Sequence, residues 1–161
     1  MIGKGLRAVA TLVRRCAWEG ERLRWRLFHP ITLGARVALL RGEEVLLIRH
    51  TYRDGWYLPG GGVDKGESLE AAARREAEEE VGAEVGELSL LGVYSNFSEH
   101  KSDHVAIFYT RDFTLGEFTA NNEIAARRWF SLHSLPAEVS SGTARRLQEL
   151  AAGKAPVAGN W

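Results

Sequence analysis

The sequence predicts an α/β fold, and three observations support this. Short apolar runs typical of strands follow His29-Pro30, a glycine-rich loop leads directly into a helix-like stretch, and a second helical stretch lies near the end. The 161 residues, 45% of them apolar, are enough to bury one sizeable core. We therefore expect one modest domain and no second full one.

The strands are predicted from runs of apolar and β-branched residues between turns. Residues 31–40 and 44–49 are expected to form a hairpin around the turn at Arg41-Gly42-Glu43. Further strands are predicted over 84–96, 104–113 and 127–130. A final helix is predicted over 143–152, after a turn at Ser134-Leu135-Pro136, and residues 155–161 are expected to form a tail.

The central helix has clear start and stop signals. Ser68 is a suitable N-cap for a helix that begins near Leu69, and Gly82 is the expected stop. Ala73, Ala77 and Val81 recur at helical spacing and form the apolar stripe that docks the helix.

Three carboxylates share one face of this helix. Glu76, Glu79 and Glu80 stand at i, i+3 and i+4, where like charges repel, while Glu78 projects elsewhere and is expected to be solvated. A cation among the three would relieve the repulsion. Mg²⁺ takes oxygen ligands and is usually held by one or two carboxylates together with substrate phosphates. The pattern therefore indicates a magnesium site, beside a glycine loop that lets backbone groups approach a ligand. An ordinary Glu-rich and Arg-rich helix would instead present a solvated face.

The stretch from Gly61 to Ala83 resembles the Nudix box, the signature of hydrolases that act on nucleoside diphosphates linked to another moiety. All the fixed polar and glycine positions of the box are present, including Glu67 and Arg75. Ala77 and Ala83 depart from it, since bulkier aliphatic residues are usual there, and this affects packing rather than ligation. The resemblance implies an α/β/α sandwich with a mixed β-sheet.

The resemblance also implies roles for individual residues. Glu76, Glu79 and Glu80 match the glutamates that bind Mg²⁺ or Mn²⁺ with help from the carbonyl of Gly60, and Glu79 and Glu80 are thereby catalytic candidates. Residues matching Glu67 and Arg75 usually brace the loop and helix through ion pairing. A base or further ligand often comes from a glutamate before the strand that ends in Trp-Phe. Glu123 best matches that place, with Glu117 and Glu99 as alternatives.

Substrate contacts are predicted less specifically. Arg49, Arg53 and Lys65 flank the glycine segment and are candidates for binding phosphate, although an arginine at a strand end is more often solvated. Aromatic side chains near the loops could stack on a base or simply pack: Tyr52, Trp56 and Phe97. The polar group of His100, Asp103 and His104 is interpreted as turn chemistry first and a substrate contact second.

The predicted function is a Mg²⁺-dependent hydrolase that cleaves a phosphoanhydride in a nucleotide-derived small molecule by water attack on phosphorus. A non-catalytic nucleotide-sensing domain and an RNA 5′-pyrophosphohydrolase are the alternatives, and the nucleotide stays open. Isomerase chemistry known in the family uses a core cysteine, whereas the single Cys16 lies near the N-terminus.

Residues 1–29 are expected to form a basic amphipathic helical extension, before a hydrolase domain over 30–152 and a tail over 153–161. Seven basic residues face only Glu19 and Glu21 in this segment, a formal balance of +5: Lys4, Arg7, Arg14, Arg15, Arg22, Arg24 and Arg26. Docking on its own domain or a homodimer is favoured over contact with a membrane surface or RNA. The net charge of zero gives no global attraction to nucleic acid. The single cysteine and the absence of a long apolar run predict a cytoplasmic protein.

Overall fold

A computed structural model describes residues 13–14, 16–24, 27–28, 31–97, 102–154 and 157–161. We number its elements along the chain. The helices are α1 (Leu69–Val81) and α2 (Ser141–Ala151). The strands are β1 (Ile31–Arg41), β2 (Glu44–His50), β3 (Gly60–Gly62), β4 (Ala83–Val85), β5 (Ser89–Asn96), β6 (Ser102–Thr110), β7 (Phe113–Leu115), β8 (Ile124–Ser131) and β9 (Val157–Asn160).

Seven strands form one mixed sheet in the order β8-β2-β1-β6-β5-β9, with β3 paired to β1. The β1–β6 and β5–β9 pairs are parallel, whereas the other pairs in this sheet are antiparallel. The short strands β4 and β7 form a separate antiparallel pair. The β1–β6 register places Arg36 beside Ile107, near the middle of the sheet.

The sheet is covered by a helix on each face. Because side chains alternate along a strand, Val37 and Leu39 of β1 face one core, while Ala38 and Leu40 face the other. The first core contains the alanine stripe of α1, and the second contains Leu147 of α2. The α/β/α sandwich with a mixed sheet is therefore confirmed.

The ends of α1 follow from the predicted local signals. The Ser68 side chain accepts a hydrogen bond from the amide of Ala71 at 3.1 Å, which satisfies one of the free amides at the helix start. Gly82 ends the helix in the left-handed conformation, with φ of 65°. Ala72, Ala73, Ala77 and Val81 are fully buried against the sheet.

Two of the predicted strands were wrong in their extent. The stretch predicted over 84–96 is divided into β4 and β5, and that over 104–113 into β6 and β7. The reason is tertiary, because β4 and β7 leave the main sheet to pair with each other. Asp112 stabilises the break, since its carboxylate accepts from the amide of Glu87 at 2.9 Å. The last strand before α2 is longer than predicted and pairs along all of β2.

The end of the chain was predicted only as a tail, and Val157–Asn160 instead form the edge strand β9 beside β5. A four-residue run containing glycine carries little periodic signal, so its pairing depends on the exposed edge of β5. The amide of Trp161 continues this contact by donating to the carbonyl of Ser95 at 2.9 Å.

In the N-terminal segment, residues 13–14, 16–24 and 27–28 are helical. Lys4, Arg7, Arg15 and Arg26 lie outside the described residues. Trp18 is partly buried, and its ring lies 5.7 Å from that of Tyr52. Among the described residues, no helix is both long and apolar enough to span a bilayer.

Candidate active site

A cavity of about 400 Å³ opens where β3 and the start of β1 meet the last turns of α1. Its walls combine carboxylates, glycine backbone and aromatic rings from elements far apart in the sequence. They include Glu76, Glu80, Glu123, Gly60, Gly61, Gly62, Arg36, Arg53, His50, Tyr52, Trp18 and Asp103. The cavity therefore gathers acidic residues of α1 with the glycine segment that precedes it.

Glu80 is the most deeply buried of these carboxylates, at 7% exposure. Its Oε2 accepts a hydrogen bond from the amide of Gly60 at 2.7 Å. Burial raises the pKa of Glu80 to about 8, because a carboxylate loses its hydration there, and the Gly60 bond and nearby Arg36 only partly offset this. A cation bound beside Glu80 would further favour its charged form.

Glu76 lies against the backbone of Gly61. A Cβ built on Gly61 would lie 2.5 Å from Oε1 of Glu76, so the glycine lets this carboxylate lie directly against the backbone and a larger residue would push it aside. Arg75 donates to the same carboxylate at 2.6 Å. Burial nevertheless raises the pKa of Glu76 and outweighs the effect of the arginine.

Arg75 ties α1 to the loop before it. Its guanidinium donates to Glu67 at 2.9 Å and to the carbonyl of Gly62 at 3.0 Å. The hydrogen bond from Arg75, followed by that from the amide of Asp64, lowers the pKa of Glu67. These contacts fix the glycine segment relative to Glu76.

Two of the predicted metal ligands, Glu79 and the carbonyl of Gly60, contact arginines in this structure. The Glu79 side chain is 60% exposed, pairs with Arg75 at 3.3 Å and does not line the cavity. The carbonyl of Gly60 accepts from Arg36 at 3.3 Å. In both cases an arginine occupies the oxygen that the resemblance assigned to a metal.

Glu123 lines the cavity, as required of a base, and its side chain is 44% exposed. Its carboxylate pairs with Arg14 of the N-terminal segment at 3.0 Å. Glu117, one alternative, is exposed and does not line the cavity. The other alternative, Glu99, lies outside the described residues, as does His100.

Of the three predicted phosphate contacts, the structure brings only Arg53 into the cavity. Its guanidinium stacks over the ring of Tyr57 at 4.0 Å. Arg49 is exposed and stacks over Trp56 at 4.7 Å, and Lys65 lies in an exposed turn.

The aromatic candidates separate into three environments. Trp56 is buried in the core on the α2 side of the sheet, so it packs rather than stacks on a ligand. Phe97 is exposed beside His104. Tyr52 lines the cavity, where burial raises its pKa to about 12.

Sequence reasoning missed His50 and Arg36. The His50 ring is buried with its Nδ1 4.0 Å from Oε1 of Glu80, and no hydrogen-bond partner of that nitrogen lies in the described part of the chain. Burial lowers the pKa of His50 to about 3, so the ring is neutral. Arg36 donates to the carbonyl of Leu58 at 3.0 Å. The sequence did contain a signal for both residues. Arg36 is a charged residue inside the otherwise apolar β1, and His50 is a polar residue at the end of β2.

The donor set fits a hard divalent cation in an open site. Glu76 and Glu80 offer carboxylate oxygens whose charged forms burial disfavours, and the cavity leaves space for a ligand beside them. Across the described ranges, no three His, Cys, Asp or Glu side chains are grouped closely enough to hold a metal by themselves. Mg²⁺ is commonly bound by one or two carboxylates plus substrate phosphates, which matches this arrangement.

Comparisons with known proteins identify the family. The NUDIX domain matches residues 30–150. An ADP-ribose pyrophosphatase of Methanocaldococcus jannaschii is 32% identical over 117 residues, covering 70% of this chain and 69% of that protein. An NAD-capped RNA hydrolase of Pseudomonas aeruginosa is 35% identical over 107 residues, covering 62% of this chain but only 36% of the relative.

A solved structure agrees with these matches. The crystal structure of a MutT NUDIX hydrolase from Burkholderia pseudomallei superimposes with a TM-score of 0.68 at 27% identity, covering 74% of this chain and 98% of that one. The family match spans the main sheet except β9, all of α1, all but the last residue of α2 and every carboxylate of the cavity. The chain therefore belongs to the NUDIX domain family.

Proposed function

We propose that this hydrolase of pyrophosphate bonds is a Mg²⁺- or Mn²⁺-dependent enzyme that acts on a nucleotide derivative. Glu76 and Glu80 would hold the cation, with Glu79 on the same helix as a further ligand. When bound, the cation neutralises phosphate oxygens and makes a bound water more acidic. The relatives named above act on ADP-ribose and NAD-capped RNA, which supports a nucleoside diphosphate as the common part of the substrate.

The protein's own residues then orient the reactants. Arg53 would contact the phosphates, and Arg75 and Glu67 keep the glycine segment against α1. Glu123, on the cavity wall, would accept the proton of the attacking water as the new oxygen–phosphorus bond forms and the bridging oxygen leaves. This role requires Glu123 to exchange its contact with Arg14 for one with water.

One observation carries the proposal: a buried carboxylate, Glu80, and a partly buried one, Glu76, line the same cavity, and burial raises the pKa of both. Such a pair is costly to a protein that has no cation to place there. A nucleotide-sensing domain, the alternative, would have no use for acids that repel the phosphates it binds.

The test is hydrolysis in ¹⁸O-labelled water with Mg²⁺, followed by mass spectrometry of the products. The panel contains ADP-ribose, a nucleotide sugar, a dinucleoside polyphosphate, nucleoside triphosphates and 5′-triphosphorylated RNA. We expect one labelled oxygen in a phosphate product, and a loss of at least about 100-fold in Glu76→Gln, the size expected for removing a preorganised charge. Glu78→Gln, exposed on the same helix, is the matched control. Equal turnover in Glu76→Gln, or turnover without a divalent cation, would contradict the proposal.

The same proposal includes a cytoplasmic location and the division into an N-terminal extension over 1–29, a hydrolase domain over 30–152 and a tail over 153–161. Trp18 and Arg14 support docking of the extension on its own domain, since both contact residues of the cavity wall. A homodimer is the alternative arrangement, which size-exclusion chromatography with light scattering would detect.

A further inference from the structure

The helical residues 13–14 and 16–24, which we call the docked segment, reach the wall of the active-site cavity through one face. Arg14 and Trp18 stand four residues apart, so they lie on the same side of the helix. Arg14 donates to the carboxylate of Glu123 at 3.0 Å, and Trp18 is itself part of the cavity wall. This face of the docked segment therefore meets the site at two points.

Trp18 contacts a second residue of the proposed reaction. The guanidinium of Arg53, proposed to contact the substrate phosphates, lies 5.4 Å from the centre of the Trp18 ring. The same guanidinium lies 4.0 Å over the ring of Tyr57, and the Trp18 ring lies 5.7 Å from that of Tyr52. Because a cation is attracted to the faces of aromatic rings, these contacts hold Arg53 among the rings.

Arg14 occupies the carboxylate proposed to act as the base. Its guanidinium nitrogen lies 3.0 Å from Oε2 of Glu123, which is the geometry of a charge-assisted hydrogen bond. Such a bond fixes the direction of the carboxylate. While it persists, this oxygen of Glu123 is not available to accept a proton from water.

These contacts are of a kind that exchanges readily. The side chains of Arg14 and Glu123 are 42% and 44% exposed, and exposed ion pairs contribute little because water competes for both partners. The docked segment also lies outside the family match, which begins at residue 30. Its contacts are therefore an addition to the shared domain, suited to alternate between a docked and a released state.

We propose that the docked segment is autoinhibitory: Arg14 holds Glu123 and Trp18 engages Arg53, so hydrolysis is slow until the segment is released. The inference rests on the proposed function, because it assumes that Glu123 is the base and that Arg53 contacts the phosphates. In the released state, water replaces Arg14 beside Glu123.

Full-length variants of Arg14 test the inference through turnover. Arg14→Gln removes the charge, and Arg14→Glu places a like charge beside Glu123. With Mg²⁺ and the substrate that the panel identifies, we expect kcat/KM to rise about threefold to fivefold in Arg14→Gln and further in Arg14→Glu, as the released fraction grows. The matched control is Arg24→Gln, because Arg24 forms its ion pair with Glu21 of the same segment and does not line the cavity.

Release of the segment is measured independently of hydrolysis. Cys16 is the single cysteine of the sequence and is exposed, so a spin label attached to it reports the motion of the docked segment by electron paramagnetic resonance. We expect restricted motion in the wild type and in Arg24→Gln, and a mobile component in both Arg14 variants. Affinity for α,β-methylene-ADP, an analogue that is not cleaved, should rise in the same order in titration calorimetry.

The outcomes separate this inference from the proposed function. A kcat/KM equal to or below that of the wild type in both Arg14 variants, or a label that stays restricted in both, would overturn autoinhibition and leave the proposed function intact. A mobile label with tighter analogue binding, but no hydrolysis of any substrate by any variant, would support occlusion of the site by the docked segment and contradict the proposed function alone.

Discussion

Replacing Glu80 with Gln should stabilise the metal-free protein while it removes activity. The substitution keeps the size of the side chain and an oxygen that can accept the 2.7 Å hydrogen bond from the amide of Gly60. The substitution removes the carboxyl group, whose ionisation burial makes unfavourable. Stability and function are therefore expected to change in opposite directions.

The size of the effect follows from the pKa. Glu80 titrates near 4.5 ordinarily and near 8 in the fold, so the folded protein binds the extra proton between these values. Below pH 4.5 the side chain is protonated in both states, and the full stability of the neutral form is present. The free energy of unfolding then falls as the pH rises from 4.5 through 8. At pH 7 the wild type is thus less stable than a neutral isostere by about 3 kcal/mol. In a protein of this length that corresponds to a difference in Tm of ~6–12 °C.

The assay is thermal or urea unfolding in EDTA from pH 5 to pH 8, with wild type, Glu80→Gln and the exposed control Glu78→Gln. The advantage of Glu80→Gln should grow with pH, and the control should follow the wild type. Excess Mg²⁺ should narrow the difference by stabilising the wild type through binding. A difference in unfolding free energy that is absent at pH 7, or constant across the pH range, would contradict a raised pKa of Glu80 in the fold.

Gly61→Ala should lower kcat because its new methyl group would displace the carboxylate of Glu76, whereas Gly62→Ala, whose methyl group would meet no atom within 4 Å, should lower kcat far less. Equal kinetics in the two variants would contradict this. Leu147→Ala empties a fully buried position of the α2-side core and should cost about 2–5 kcal/mol in urea unfolding; a cost below about 1 kcal/mol would disagree. Arg75→Gln should lower both Tm and turnover, and a loss of Tm alone would argue against its positioning role.

The parts of the fold that depend on local chemistry were predictable. The limits of α1 follow from Ser68 and Gly82, whose capping requires only their immediate neighbours. The face shared by Glu76 and Glu80 follows from helical geometry alone. The breaks after β4 and β6 were not predictable in this way, because they exist only where the two short strands meet in space.

The same distinction applies to the site. Arg36 reaches the cavity because β1 lies beside β3 in the sheet, which is a property of topology rather than of neighbouring residues. Glu79 stands at the expected helical position, yet its contact with Arg75 turns it away from the cavity. The direction of the Glu79 side chain depends on the nearby charge of Arg75, which the helical spacing of the glutamates does not reveal.

The central claim is that Glu76 and Glu80 together bind a divalent cation. It is tested most directly by electron paramagnetic resonance of Mn²⁺ titrated into the wild type and into the Glu76→Gln/Glu80→Gln double variant. We expect bound Mn²⁺ in the wild type, displaced by excess Mg²⁺, and none in the double variant at the same concentrations. Equal binding by the two proteins would contradict it.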